Sequence, residues 1–126
     1  MSKHTILIVD DEEDLRKVLA MRLDMENYDV TEAADAEEAL KITEEKSFDV
    51  ILLDIIMPGM DGIELYDCLK KRKHLANSGY IFLTALGEKE HSQRTQDTSG
   101  KDYIVIGKPY DTNILLKEIK TRIKTP

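Results

Sequence analysis

Short apolar runs alternate along the chain with segments of helical period. Five runs have the composition of buried strands: 6–9, 28–33, 50–53, 80–83 and 103–106. Strand-helix alternation at this spacing predicts right-handed crossovers and a doubly wound parallel sheet with helices on both faces. The length of 126 residues fits one α/β domain, which we assign to the whole range 1–126.

The first predicted helix covers 12–25 and has one apolar stripe. Its inward positions are Leu15, Val18, Leu19 and Leu23. Charged residues such as Arg16 fall elsewhere on the wheel, which is the pattern of a helix that packs on a sheet.

Three further helices are predicted from an aspartate at the N-cap followed by apolar residues at helical spacing. The capping residues are Asp35, Asp61 and Asp111. The helix after Asp111 carries lysine and arginine in its last turn, where they complement the negative end of the helix dipole.

The crossover between the fourth and fifth strands departs from this pattern. Residues 87–102 read GEKEHSQRTQDTSGKD and contain no apolar side chain. A helix there would have nothing to bury against the sheet, and burial supplies most of the stability of short helices. We therefore expect this crossover helix to be short, irregular or missing.

The composition excludes several classes of protein. A formal charge of −7 argues against nucleic acid as a direct partner, because binding it requires a cationic surface. A single cysteine, Cys68, rules out an internal disulfide framework. The N-terminal apolar run is too short for a signal peptide or a membrane span, so we expect a cytoplasmic protein with no membrane contact.

Polar side chains close four of the five predicted strands. Asp10 and Asp11 follow the first strand, Asp54 the third, Thr84 the fourth, and Lys108 lies just beyond the fifth. Each residue alone would be read as a cap or a turn residue. Because the carboxyl ends of parallel strands share one edge, the set together predicts a functional site there.

The residue types at this edge favour phosphoryl chemistry. Clustered carboxylates from Asp10, Asp11 and Asp54 need a neutralising cation, and Mg²⁺ suits an all-oxygen site. Lys108 and Thr84 offer a charge and a hydroxyl that suit phosphoryl oxygens. A carboxylate not fully committed to the metal can attack phosphorus and form an acyl phosphate, and Asp54 is the candidate nucleophile.

With these residues in place, the chain resembles the receiver domains of two-component response regulators over essentially its whole length. The resemblance rests on ILIVDDEEDLR at 6–16, DVILLDIIMPGMDGIEL at 49–65, Thr84-Ala85 and Lys108-Pro109. It implies a flavodoxin-like sheet with strand order 2-1-3-4-5. It also implies a cis peptide bond between Lys108 and Pro109.

The resemblance assigns a role to each residue of the site. Asp54 would be the phosphoacceptor. Metal ligands would come from Asp10, Asp11, Asp54 and the backbone carbonyl of Ile56. Thr84 and Lys108 would bind the phosphoryl group.

The implied function is that of a signalling domain that catalyses only its own phosphorylation and dephosphorylation. A sensor histidine kinase, a phosphotransfer protein or a small phosphodonor would supply the phosphoryl group. The output would pass to a downstream protein or output domain, or to a dimer that forms on phosphorylation.

Two other functions compete with this interpretation. A degenerate receiver would act as a protein-interaction module without phosphorylation, which the unusual 87–102 segment motivates, although the five-residue site is intact. A small hydrolase with Asp54 as nucleophile is disfavoured because no general base is apparent at the edge.

The chain departs from the family pattern in the polar crossover, in a slightly longer stretch from Thr84 to Lys108, and at one position of the fifth strand. The family usually has an aromatic residue three positions before the lysine, where this chain has Val105, and Tyr103 lies two residues earlier. Which of the two takes the switch role is open at this stage.

Overall fold

The computed structural model describes residues 3–85 and 103–123, which form one sheet flanked by helices. The strands are β1 (Thr5–Val9), β2 (Asp29–Ala33), β3 (Val50–Asp54), β4 (Gly79–Thr84) and β5 (Tyr103–Gly107). The α-helices in the described ranges are α1 (Glu13–Met25), α2 (Ala36–Ile42), α3 (Gly62–Lys70) and α4 (Thr112–Arg122). A short 3-10 helix, Lys73–Leu75, precedes β4.

The five strands form a parallel sheet in the order β2-β1-β3-β4-β5, which confirms the flavodoxin-like order that the resemblance implied. The register aligns Val9 with Leu53, Asp54 with Leu83, and Thr84 with Gly107. Successive strands therefore end close to one line, and the residues at their carboxyl ends are presented along one edge of the sheet.

Alternate residues of the central strands feed two separate apolar layers, as expected for a sheet covered on both faces. On one face, Leu7, Ile51 and Phe82 pack with side chains of α2 and α3. The opposite layer combines strand residues with α1 and α4: Ile6, Ile8, Leu52, Ile81, Leu19, Leu23, Leu115 and Ile119. The sheet edge is thereby held between two packed layers.

All three predicted N-caps are confirmed. The Asp35 carboxylate accepts the Glu38 N–H, and the Asp111 carboxylate accepts the N–H groups of Asn113 and Ile114. At α3 the cap is reciprocal, since Asp61 accepts the Glu64 N–H while the Glu64 side chain accepts the Asp61 N–H.

The predicted inward stripe of α1 is wrong at two positions. Leu19 and Leu23 are buried as expected, but Leu15 is 46% and Val18 65% exposed. Arg16, which the pattern placed off the core face, is only 6% exposed. Positions 16, 19 and 23 of the helix face the sheet because the guanidinium of Arg16 finds hydrogen-bond partners there. The spacing of apolar residues along the sequence does not reveal these hydrogen bonds.

The predicted short or missing helix at 87–102 lies outside the described residues. Within 3–85 and 103–123, no helix is both long and apolar enough to cross a membrane.

Gly62, the first residue of α3, sets how closely that helix approaches β3. A Cβ atom at this position would overlap the carbonyl oxygen of Asp54 and come within 2.9 Å of the Cα of Ile55. Because residue 62 has no side chain, the N-terminus of α3 can contact the end of β3.

We predict that Gly62→Ala lowers the free energy of unfolding by about 1–3 kcal/mol, because backbone atoms must move to admit the methyl group. Gly107→Ala is the matched control, since a Cβ there meets nothing within 4 Å. Chemical denaturation of both variants provides the measurement. Equal stability of the two variants would contradict the close approach of α3 to β3.

Candidate functional site

The ends of β1, β3 and β5 bring Asp10, Asp54 and Lys108 together, although Asp10 and Lys108 are 98 positions apart in sequence. Asp10 is 3% and Asp54 4% exposed, so both carboxylates lie at the buried part of the edge. The sequence predicted this convergence from the strand ends, and the geometry agrees with it.

The ammonium of Lys108 is the centre of the site. Its Nζ lies 3.0 Å from Asp10 Oδ2, 3.1 Å from Glu12 Oε1 and 3.4 Å from Asp54 Oδ2. The Lys108 side chain is 10% exposed, so these contacts are partly withdrawn from solvent. Three donated hydrogen bonds use the full capacity of an ammonium group.

Asp10 is held through both carboxylate oxygens. Its Oδ1 accepts the backbone N–H of Glu12 at 2.9 Å, and its Oδ2 accepts from Lys108. The Asp10 N–H donates to the carbonyl of Ala33 at 3.1 Å, so the chain stays paired to the end of β2. These bonds leave Asp10 little freedom to rotate.

Asp54 is less tightly bound than Asp10. Its Oδ1 accepts the Ile56 N–H at a long 3.3 Å, and its Oδ2 contact with Lys108 is the longest of the three. Burial raises the pKa of Asp54 to about 7; the charge of Lys108 opposes this rise, and the nearby Asp10 adds to it. The carboxylate is thus poorly solvated and only weakly committed to partners.

The pKa of Lys108 responds to opposing effects. Burial would lower it, but the hydrogen bond to Asp10 and the charges of Asp54 and Asp10 outweigh burial and raise the pKa above its usual value. The ammonium therefore stays charged at neutral pH. Burial has the opposite effect on the neighbouring Tyr110 phenol and raises its pKa, with Lys108 opposing and Asp10 adding to the shift.

The other predicted site residues occupy different positions at the edge. Thr84 is fully buried at the end of β4, and its carbonyl accepts the Lys108 N–H at 2.6 Å. Asp11 is exposed and lies outside the close carboxylate group, and the side chain of Ile56 is 52% exposed. The metal-binding roles of Asp11 and of the Ile56 carbonyl stay predictions.

Glu12 is a site residue that the sequence reasoning missed. Within the described ranges, carboxylate oxygens of Asp10, Glu12 and Asp54 form a group in which all atoms lie within 4.8 Å of one another. The available signal was the continuous acidic run Asp10-Asp11-Glu12, in which the third member was read as the start of a helix.

This group fits a hard divalent cation. Its donors are all carboxylate oxygens, the ligand type that Mg²⁺ prefers, and their mutual repulsion needs a positive charge. In the structure that charge is the Lys108 ammonium, which touches all three carboxylates. A cation and Lys108 would therefore share the same oxygens.

Tyr103 of β5, one of the two candidate switch residues, belongs to a group of four aromatic rings. Tyr66 of α3 packs edge-on against Tyr80, Phe82 and Tyr103, with ring centroids 4.9, 5.5 and 5.2 Å away. Val105 packs on the same layer without a ring. Tyr103 thus has aromatic partners on β4 and α3, while the choice between Tyr103 and Val105 as switch stays a prediction.

Comparison with known sequences identifies a family for most of the chain. A family model described as response regulator receiver domain matches residues 6–120. The chain is 37% identical over 119 residues to the transcriptional regulatory protein ResD of Bacillus subtilis, and 34% identical to SrrA of Staphylococcus aureus. The matches cover 94% of this chain but 48% and 47% of those proteins, so the chain spans about half of their length.

Solved structures agree in fold over nearly the whole chain. The response regulator TrrA of Thermotoga maritima, in complex with Mg²⁺-BeF, superposes with a TM-score of 0.80 at 31% identity, covering 95% of this chain and 99% of that one. The chemotaxis protein CheY4 of Vibrio cholerae gives 0.85 at 27% identity, covering 97% and 100%.

The raised pKa of Asp54 predicts a pH-dependent stability for the metal-free protein. A buried acid with a folded-state pKa near 7 and an unfolded value near 4 favours folding when protonated, so its contribution is lost as pH rises from about 4 to about 7. Asp54→Asn cannot ionise. The free energy of unfolding of this variant should exceed that of the wild type by an amount that grows across that range and stays constant above it.

Denaturation in the presence of a chelator at several pH values provides the measurement. Asp67→Asn is the control for the loss of a carboxylate at an exposed position of α3. A pH-independent difference between the wild type and Asp54→Asn would show that Asp54 is not perturbed by burial.

Proposed function

Because the chain belongs to the response regulator receiver domain family, we propose that it receives a phosphoryl group on Asp54 in a Mg²⁺-dependent reaction and transmits the change to a partner or output domain. The observation that carries this proposal is the contact of Lys108 with three clustered carboxylates. It places a fixed positive charge 3.4 Å from a buried, weakly hydrogen-bonded Asp54.

Asp54 has the properties of a nucleophile. Its oxygens are held at long distances by Ile56 and Lys108, so little hydrogen bonding must be lost before one of them attacks. In the proposed step, an Asp54 oxygen forms a bond to phosphorus while the bond from phosphorus to the donor breaks, and the leaving group departs with that electron pair. The product is an acyl phosphate on Asp54.

The other residues of the edge would stabilise the transferred group. Mg²⁺ held by Asp10 and Asp54, with Glu12, Asp11 or the Ile56 carbonyl, would supply positive charge to the phosphoryl oxygens. Lys108 would move from its carboxylate partners toward the new anion, since it is already within hydrogen-bond reach of Asp54. The Thr84 hydroxyl at the adjoining strand end would donate to the same group.

The proposed phosphodonor is a histidine kinase or a phosphotransfer protein. The helix that begins beside the acidic run offers such a protein an apolar contact, since Leu15, Val18 and Met21 of α1 are 46%, 65% and 67% exposed. Exposed apolar side chains on one helix are typical of protein contacts.

The proposed output lies outside this chain. The curated relatives are transcriptional regulatory proteins that are about twice as long as the matched region, so the corresponding proposal is an output domain or a separate effector protein. A direct contact of these residues with nucleic acid is not proposed, given the net charge of −7.

The phosphorylation-independent alternative gains no specific support. Asp10, Asp54 and Lys108 are in mutual reach, and the Thr84 carbonyl at the end of β4 accepts the Lys108 backbone N–H, so the residues to which the proposal gives a role lie together. The segment that motivated that alternative, 87–102, lies outside the described residues.

One prediction of this proposal concerns the phosphoacceptor. With Mg²⁺ and a small acyl-phosphate donor, the chain should gain one phosphoryl group that hydroxylamine removes, because an acyl phosphate is a reactive anhydride. Asp54→Asn or a chelator should abolish the gain, and the control Asp67→Asn should retain it. Intact-mass spectrometry measures the result, and persistent labelling of Asp54→Asn would refute the assignment.

Another prediction of this proposal concerns Lys108. Since its ammonium contacts the carboxylates that would hold the cation, Lys108→Ala should bind Mg²⁺ more tightly than the wild type while it slows phosphoryl transfer. Lys41→Ala, on the exposed face of α2, is the control for loss of a remote charge. Mg²⁺ titration and phosphorylation kinetics together test the two effects; weaker Mg²⁺ binding would argue against competition.

A further inference from the structure

Helix α1 buries an arginine while it leaves four apolar residues in solvent: Leu15, Val18, Met21 and Met25. The side chain of Arg16 is 7% exposed, whereas Leu15 and Val18 are largely exposed. Removing a guanidinium from water is unfavourable unless it is paired and hydrogen-bonded. A helix that simply covered the sheet would turn Leu15 inward, so the orientation of Arg16 calls for a reason beyond packing.

The partners of Arg16 connect two strands. Its Nη1 donates to the backbone carbonyl of Asp10 at 2.7 Å, and its Nε donates to Glu32 Oε1 at 2.9 Å. Glu32 lies in β2, in register with Ile8 of β1. The guanidinium therefore ties the end of β1 to the neighbouring strand, and its planar fork fits this two-point contact better than an ammonium would.

The bond from Arg16 completes the restraint of Asp10. The Asp10 N–H is held by Ala33, and its two carboxylate oxygens accept from the Glu12 N–H and from Lys108. The remaining polar group of Asp10 is the carbonyl that Arg16 binds. Loss of that bond would free the peptide unit that follows Asp10, and rotation there would displace the Glu12 N–H that orients the carboxylate.

We propose that Arg16, supported by Glu32, is a positioning residue that fixes Asp10 for binding of the divalent cation. This inference rests on the proposed function of the site. Arg16 acts through the Asp10 main chain, while the cation is bound by the carboxylates. Groups that orient ligand residues in this way typically change metal affinity by about 10-fold to 100-fold when removed.

Electrostatics alone predicts the opposite effect. Arg16→Met removes a positive charge close to an anionic site, so Coulomb attraction by itself would strengthen cation binding. A loss of affinity in Arg16→Met is thus a signature of positioning. Lys17→Met is a matched control on the same helix, because Lys17 contacts the same Glu32 oxygen at 3.5 Å and is not bonded to the Asp10 carbonyl.

The experiment titrates the unphosphorylated full chain with Mg²⁺ alone and follows the amide NMR signals of Asp10 and Asp54. Arg16→Met should bind Mg²⁺ about tenfold more weakly than the wild type or worse, and Arg16→Lys should retain part of the affinity because it keeps one donor. Lys17→Met should bind as tightly as the wild type or slightly more tightly.

A double variant separates positioning from stability. Arg16→Met with Glu32→Gln removes both charges of the pair, so the partly buried Glu32 is no longer an anion without its guanidinium partner, and the unfolding midpoint should return toward that of the wild type. The Asp10 carbonyl still lacks its donor, and Mg²⁺ affinity should stay low. If Arg16→Met alone fails to fold, the Mg²⁺ affinity of the double variant still tests the proposal.

The outcomes distinguish this inference from the proposed function. Unchanged or tighter Mg²⁺ binding in the double variant would overturn the role of Arg16, as would a wild-type chain that does not bind Mg²⁺. A wild-type chain that binds Mg²⁺ but takes no phosphoryl group would refute the proposed function, while weaker binding in the Arg16 variants would still support positioning.

Discussion

The repulsion among three carboxylates at one edge of the sheet is the constraint on which the site depends. Asp10, Glu12 and Asp54 present oxygens within 4.8 Å of one another, and such a group needs a proton or a nearby positive charge to relieve its repulsion. Lys108 supplies it from β5, reaching across the end of β4 to residues of β3 and β1. One side chain thereby links three strands of the sheet.

The proposed response of the site to phosphorylation would depend on this balance of charges. The contact of Lys108 with Asp54 is longer than its contacts with Asp10 and Glu12, so Asp54, the proposed nucleophile, is the carboxylate that Lys108 holds least closely. An added anion on Asp54 would draw the ammonium toward it, and the Lys108 N–H is already bonded to the carbonyl of Thr84. Movement of Lys108 would therefore also displace the end of β4.

Local features of the fold were predictable because they depend on few residues. The N-caps at Asp35, Asp61 and Asp111 are set by one carboxylate and the N–H groups of the next turn, so the sequence pattern suffices. The inward face of α1 was not predictable in the same way. Its orientation depends on Glu32 and the Asp10 carbonyl, which lie outside α1. The spacing of apolar residues within α1 cannot reveal such partners.

The sequence by itself determined that the edge would carry Asp10, Asp54 and Lys108, because parallel strands with polar residues at their ends leave little choice about where those residues meet. The tertiary structure alone decided which carboxylates share the ammonium. It placed Glu12 within the cluster and Asp11 outside it, although the two are adjacent in the chain. Whether Asp11 or Glu12 joins the cluster depends on the direction of the chain after β1 and on the position of the Lys108 side chain after β5. Both are set by packing among elements that are distant in sequence.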